Sequence, residues 1–145
     1  MAESKYAKYI VTEPRVDKDM PSFRHESDDE IRGASNRIVY LDDSVIKGAL
    51  YSECAWFWPG GGSDKVWAET HTHDFDEVIS FFGTDYQDPH DLCGEVELWL
   101  EDEQFIMTRS FLAYIPAGMK HCPLYVRRVD RPIFHFTLGP GGTYG

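Results

Sequence analysis

From Arg37 to Leu138 the chain breaks into short runs rich in β-branched and aromatic residues, each closed by a turn signal. The runs that read as strands are 37–41, 45–58, 66–73, 77–82, 95–100, 104–108, 111–115, 122–126 and 133–138. Between them stand Asp42-Asp43, Pro59-Gly60-Gly61-Gly62, Glu101-Asp102-Glu103, Pro116-Ala117-Gly118 and Gly139-Pro140-Gly141-Gly142, all of them turn chemistry. Glu95-Val96-Glu97-Leu98-Trp99-Leu100 partly alternates acidic with apolar residues, as a half-exposed strand does. The expected fold is all-β, a sandwich or barrel, and a jelly-roll β-barrel is its simplest closure.

Residues 1–36 have a different texture. They are polar and charged, with Pro14, Pro21 and the run Ser27-Asp28-Asp29-Glu30, and carry no sustained period. They are read as an irregular N-terminal arm that packs on the barrel domain, 37–145, or on a partner. Within it Tyr6, Tyr9, Ile10 and Val11 suit a short strand, and Ser27 to Arg32 suit a turn of helix. The stretch from Gly83 to Gly94 is long for a hairpin connection and reads as a surface excursion or a lid.

At 145 residues the chain has the length of one domain and enough material for a core. Its formal net charge of −11 argues against nucleic acid and anionic membrane surfaces as partners. No apolar run reaches the length of a membrane span, and the first residues have no apolar signal core, so a cytoplasmic location is expected. The three cysteines, Cys54, Cys93 and Cys122, are odd in number and show no CxxC spacing, which fits reduced thiols.

The chemistry concentrates in Thr70-His71-Thr72-His73-Asp74-Phe75-Asp76-Glu77. On a strand, side chains repeat with a period of two, so His71 and His73 share a face and their rings converge. Glu77 follows closely enough to bring a carboxylate to the same point. His121, after Pro116-Ala117-Gly118, supplies a third imidazole from a distant segment. Imidazole and carboxylate donors suit one divalent transition metal: Fe, Mn, Zn, Ni, Co or Cu. If the segment after His121 is a strand, Cys122 faces away from that metal.

These residues resemble the cupin superfamily. His71-x-His73-x-x-x-Glu77 matches the ligand part of its first motif, and Pro116-x-Gly118-x-x-His121 matches the heart of its second. The departures fall on turn and packing positions. Lys65 stands where the leading glycine of the first motif would fall, and the trailing glycine, Gly83, comes one residue early. In the second motif Ser110 replaces the leading glycine and Tyr125 the final asparagine. The resemblance implies a jelly-roll barrel, often homodimeric, with His71, His73, Glu77 and His121 as metal ligands.

Around such a site the aromatics Trp56, Phe57, Trp58, Phe75, Phe81, Tyr114 and Tyr125 point to a small organic substrate, apolar, aromatic or enolic, rather than a sugar phosphate. The resemblance slightly favours oxygenase-type chemistry. A lyase, isomerase or cyclase using the metal as Lewis acid is the alternative, with Tyr125 or His135 as the pocket base. A non-catalytic metal- or ligand-binding role is a third reading. Either face of the last strand can line the barrel: one carries Ile133, His135 and Thr137, the other Phe134 and Phe136.

Overall fold

The computed structural model describes residues 4–14 and 35–140. One 3-10 turn, Ala7–Tyr9, precedes eight strands: β1 (Ser35–Leu41), β2 (Tyr51–Phe57), β3 (Glu77–Gly83), β4 (Asp91–Leu100), β5 (Glu103–Arg109), β6 (Phe111–Ile115), β7 (His121–Val129) and β8 (Ile133–Gly139). They form two antiparallel sheets, in the orders β1-β2-β8-β3-β6 and β5-β4-β7.

Period-two alternation builds the interior. Tyr51, Glu53, Ala55 and Phe57 of β2 are buried, and the residues between them are only half-buried. Ile133, His135 and Thr137 of β8 are likewise buried, while Phe134 and Phe136 are not fully covered. Phe57, Ile79, Phe81, Ile115 and Ile133 from the larger sheet meet Leu92, Val96, Leu98, Leu124, Val126 and Val129 from the smaller one in a single core. The architecture is therefore an all-β jelly roll with its apolar layer between the sheets.

Four local expectations change. The segment 45–50 is not strand. Asp42 takes the Ser44 N–H on its side chain (2.8 Å), and its backbone carbonyl accepts from Val45 and Ile46, so the chain turns before β2. The residues 66–73 do not form a strand either. They touch β7 at two isolated bridges, Ala68 with Leu124 and His71 with His121. Between those bridges Cys122 has a left-handed φ of 74°, and its carbonyl accepts from the Thr70 hydroxyl (3.1 Å) instead of a backbone amide. Tyr6, Tyr9 and Ile10 lie at or beside the 3-10 turn, not on a strand. Finally, β4 begins at Asp91, so the expected long excursion is shorter. The helical turn expected at Ser27 to Arg32 lies outside the described residues. The arm meets the barrel where Tyr40 N–H donates to the Glu13 carbonyl (3.0 Å).

Among the described residues no helix is long and apolar enough to cross a membrane. The three cysteines are free thiols, and burial pushes that of Cys54 upward in pKa.

Candidate metal centre

The two halves of the cluster are joined by backbone. His71 and His121 exchange N–H···O=C bonds, each 3.1 Å long, and the Gly118 N–H donates to the His73 carbonyl at 2.8 Å. Gly118 has a φ of 84°, a conformation open to glycine at little cost, and this explains its place in the turn. Asp76 ties the same turn to the start of β3. Its carboxylate accepts from Ala117 N–H (2.9 Å) and the Tyr114 hydroxyl (2.6 Å). The Tyr114 bond is the main reason its pKa lies below the ordinary aspartate value, and the same bond raises that of Tyr114.

Ligand atoms of His71, His73, Glu77 and His121 all lie within 4.8 Å of one another. Glu77 opens β3 and His121 opens β7, and both are buried, as is His73. The tautomers follow from the partners. His71 Nδ1 sits 2.6 Å from the Glu69 carbonyl and His121 Nδ1 sits 3.1 Å from the Met119 carbonyl. A carbonyl can only accept, so both Nδ1 atoms carry the proton and both rings turn Nε2 toward the cluster. The Glu69 backbone carbonyl thus orients the His71 ring.

His121 Nε2 then stands 3.1 Å from Glu77 Oε1, and His73 Nε2 stands 3.7 Å from the same oxygen. In the neutral ring an Nε2 lone pair and a carboxylate oxygen at that distance repel, and neither the Nε2 of His121 nor the Oε1 of Glu77 has a hydrogen-bond partner among the described residues. A cation between them removes the conflict. Three imidazoles and one carboxylate, with no thiolate, fit a divalent transition metal.

A small pocket lies beside the cluster. His71 and Glu77 form part of its wall, with Trp67, Ile79 and Leu124 as apolar lining and Tyr51, His135 and Thr137 as polar lining. His135 thus faces inward. Its Nδ1 donates to the Ser80 carbonyl (2.9 Å), and its ring stacks on Phe81 with centroids 4.2 Å apart.

Two readings of the sequence need correction here. Tyr125 does not line the pocket. It alternates with the buried Leu124 and Val126, so it projects from the other face of β7, where the Arg127 guanidinium lies 3.7 Å over its ring. Cys122 does line the pocket and is buried beside His121. Its left-handed φ and the register shift between Leu98 and Leu100 break the alternation that would have turned it outward. Tyr51 and Glu53 went unnoticed in the sequence, although a glutamate sharing a strand face with Tyr51, Ala55 and Phe57 is itself a signal.

No protein-family model matches the chain, and no curated protein matches it by sequence. Solved structures do. Oxalate oxidase in complex with the substrate analogue glycolate superposes with a TM-score of 0.51 at 13% identity, over 83% of this chain and 56% of that one. An uncharacterized protein with a double-stranded β-helix domain from Klebsiella pneumoniae subsp. pneumoniae MGH 78578 gives 0.49 at 14% identity, over 85% and 87% of the two chains. A cupin superfamily protein from Desulfitobacterium hafniense DCB-2 gives 0.45 at 10%, over 72% and 73%. At such identities the likeness to oxalate oxidase shows the fold and nothing more. The fold is the double-stranded jelly roll of the cupins. On it this chain carries a cluster of three histidines and a glutamate that could bind a metal.

Proposed function

We propose that the protein is a mononuclear metal-dependent enzyme acting on a small organic molecule, with oxygenase-type chemistry. One observation carries the reading: four metal-type donors converge, and two of them, His71 and Glu77, line a mostly apolar pocket. The metal, when bound, supplies an open coordination position for a substrate oxygen and, if redox-active, for dioxygen. His71, His73, Glu77 and His121 hold it. Trp67, Ile79 and Leu124 exclude water around the bound molecule and favour an apolar or enolic carbon skeleton. His135, fixed by Ser80, presents Nε2 to the pocket as a proton acceptor.

That inward His135 also favours a second reading, a non-redox lyase or isomerase, which needs a base within reach of the substrate. Metal content of the purified protein and oxygen uptake on a panel of enols and catechols separate the two. About one redox-active metal per chain with oxygen uptake supports the oxygenase. Zinc with turnover but no uptake supports the lyase or isomerase. Full metal occupancy in His121→Ala would overturn the four-ligand site and both readings with it.

A further inference from the structure

The turn that begins at Pro116 holds none of the four donors, yet it is tied to three of them. The Gly118 N–H donates to the carbonyl of His73 (2.8 Å). The neighbouring Ala117 N–H donates to Asp76 Oδ1 (2.9 Å), and one peptide bond joins Asp76 to Glu77. The Met119 N–H then closes the turn on the Pro116 carbonyl (3.1 Å). The Met119 carbonyl in turn accepts the Nδ1 proton of His121 (3.1 Å). Among these ties, Asp76 alone grips the turn with a side chain. Its second oxygen accepts from the Tyr114 hydroxyl (2.6 Å), which fixes the carboxylate from the other side. Tyr114 stands opposite Val78 in the register of β3 with β6, so strands place it rather than a loop.

We propose that Asp76 is a positioning residue for the metal centre. It is not a donor itself. It anchors the turn to the start of β3, and through the turn it places the Met119 carbonyl that aims the His121 ring. His121 Nε2 stands 3.1 Å from Glu77 Oε1, so a small swing of that ring changes the spacing of two donors. The inference rests on the metal reading above and adds a residue to the same site. Asp76 and Ala117 are both exposed. The Ala117 N–H released by Asp76→Ala is therefore hydrated, and what is lost is the placement of the turn rather than a buried bond. Asparagine still offers an acceptor oxygen at this position, whereas alanine offers none.

The test titrates Co(II) into the full chain and reads both the affinity and the cobalt absorption bands, which report the geometry of the donors. Asp76→Ala weakens Co(II) binding about tenfold, the low end of the range for partners that orient metal ligands, and shifts the bands. Asp76→Asn restores the wild-type bands and most of the affinity. Tyr114→Phe shifts the bands in the same direction by less, and serves if Asp76→Ala fails to fold. Glu97→Gln, on the other sheet, is the control: it leaves cobalt affinity and bands unchanged, so a loss of stability alone does not mimic the effect. Wild-type affinity and bands in both Asp76→Ala and Tyr114→Phe would overturn the positioning role while the metal reading stands. An Asp76→Asn variant as impaired as Asp76→Ala would do the same. A wild-type protein that takes up no cobalt would overturn the metal reading itself.

Discussion

His71 and His121 are bonded twice over: their backbones exchange two 3.1 Å hydrogen bonds, and their rings stand with centroids 4.2 Å apart. Residues 50 positions apart are thus set in one register before any side chain chooses a rotamer. The cluster is preorganised, and a metal that binds it need not order a loop first.

Metal should therefore raise the stability of the folded chain by simple mass action. At 100 times the dissociation constant the gain is about 2.7 kcal/mol. For a chain of this size that corresponds to a rise of roughly 8 °C in Tm. Glu77→Gln keeps the shape of the side chain but loses its negative charge, and should weaken metal binding more than about 100-fold, beyond what an outer partner of a ligand costs. Thermal melts with and without added metal check both. The variant should melt at the same temperature in either condition.

Glu97 makes an acid-sensitive contact on the far side of β4 from the core. Its carboxylate accepts from Trp99 Nε1 (2.8 Å) and from Arg127 Nε and Nη2 (3.1 and 3.0 Å). The Trp99 bond is the largest cause that holds its pKa below the ordinary glutamate value, with Gln104 and Arg127 adding to it. A depressed folded-state pKa gives stability that is present above the unfolded value and lost as pH falls through the folded one. Glu97→Gln should cost about 2 kcal/mol at neutral pH. In acid below the carboxylate range, the two denaturation midpoints should coincide.

The jelly roll and the convergence of His71, His73, Glu77 and His121 were legible because both depend on local pattern. Turn residues separate the strands, and His71, His73, Glu77 and His121 are the right chemical types at spacings that converge. What was not legible depends on which face looks inward. On β8 one face offers Ile133, His135 and Thr137 and the other Phe134 and Phe136, so hydrophobicity alone cannot decide. The fold puts the more apolar face outside, where Trp56 and Phe134 pack with ring centroids 5.0 Å apart. Tyr125 was misplaced for the same reason: an aromatic on a strand does not declare its side. Cys122 was misplaced because a single left-handed residue breaks alternation without a glycine to announce it. Residues 66–73 alternate like a strand, yet Thr70 uses its side chain where a strand would use its backbone. Ser110 was read as a departure from the glycine of the second motif. In the structure its hydroxyl accepts from Gly83 N–H (2.9 Å) and donates to the Pro89 carbonyl (2.7 Å), so the departure has its own function in closing the loop before β4.

Phe81 supports the pocket from behind. It is fully buried, stacks on His135, and lies 5.6 Å centroid to centroid from Phe111. Phe81→Ala removes a whole ring from a close-packed core and should cost about 4 kcal/mol, measured by denaturant unfolding. It also frees the His135 ring on one face. Metal content should remain near the wild-type value, since none of the four donors touches the deleted ring in the contacts described, and that separates a packing loss from a ligand loss.

Gly83 closes β3 where the chain must pass close to β4. A Cβ built there collides with the Asp91 carbonyl oxygen and stands 3.1 Å from Leu92 Cα. Both are backbone, so no rotamer change relieves the contact; one strand has to move. Gly83 also pairs with Ile133 across β8, and its N–H is held by Ser110, which resists the shift on two sides. Gly83→Ala should therefore destabilise by about 2 kcal/mol, in the range of overpacked cores, although alanine ordinarily stabilises a chain relative to glycine by restricting its unfolded state. Gly60→Ala is an informative control. A Cβ at Gly60 meets nothing within 4 Å, but its φ of 80° strains any larger residue. The two variants should lose stability by different routes. Enlarging the neighbourhood of Gly83 by trimming Leu92 cannot relieve the collision with the Asp91 carbonyl, so Gly83→Ala combined with Leu92→Ala should unfold at lower denaturant than either single variant. A double variant more stable than Leu92→Ala alone would show that the approach of β3 to β4 is not the constraint at this position.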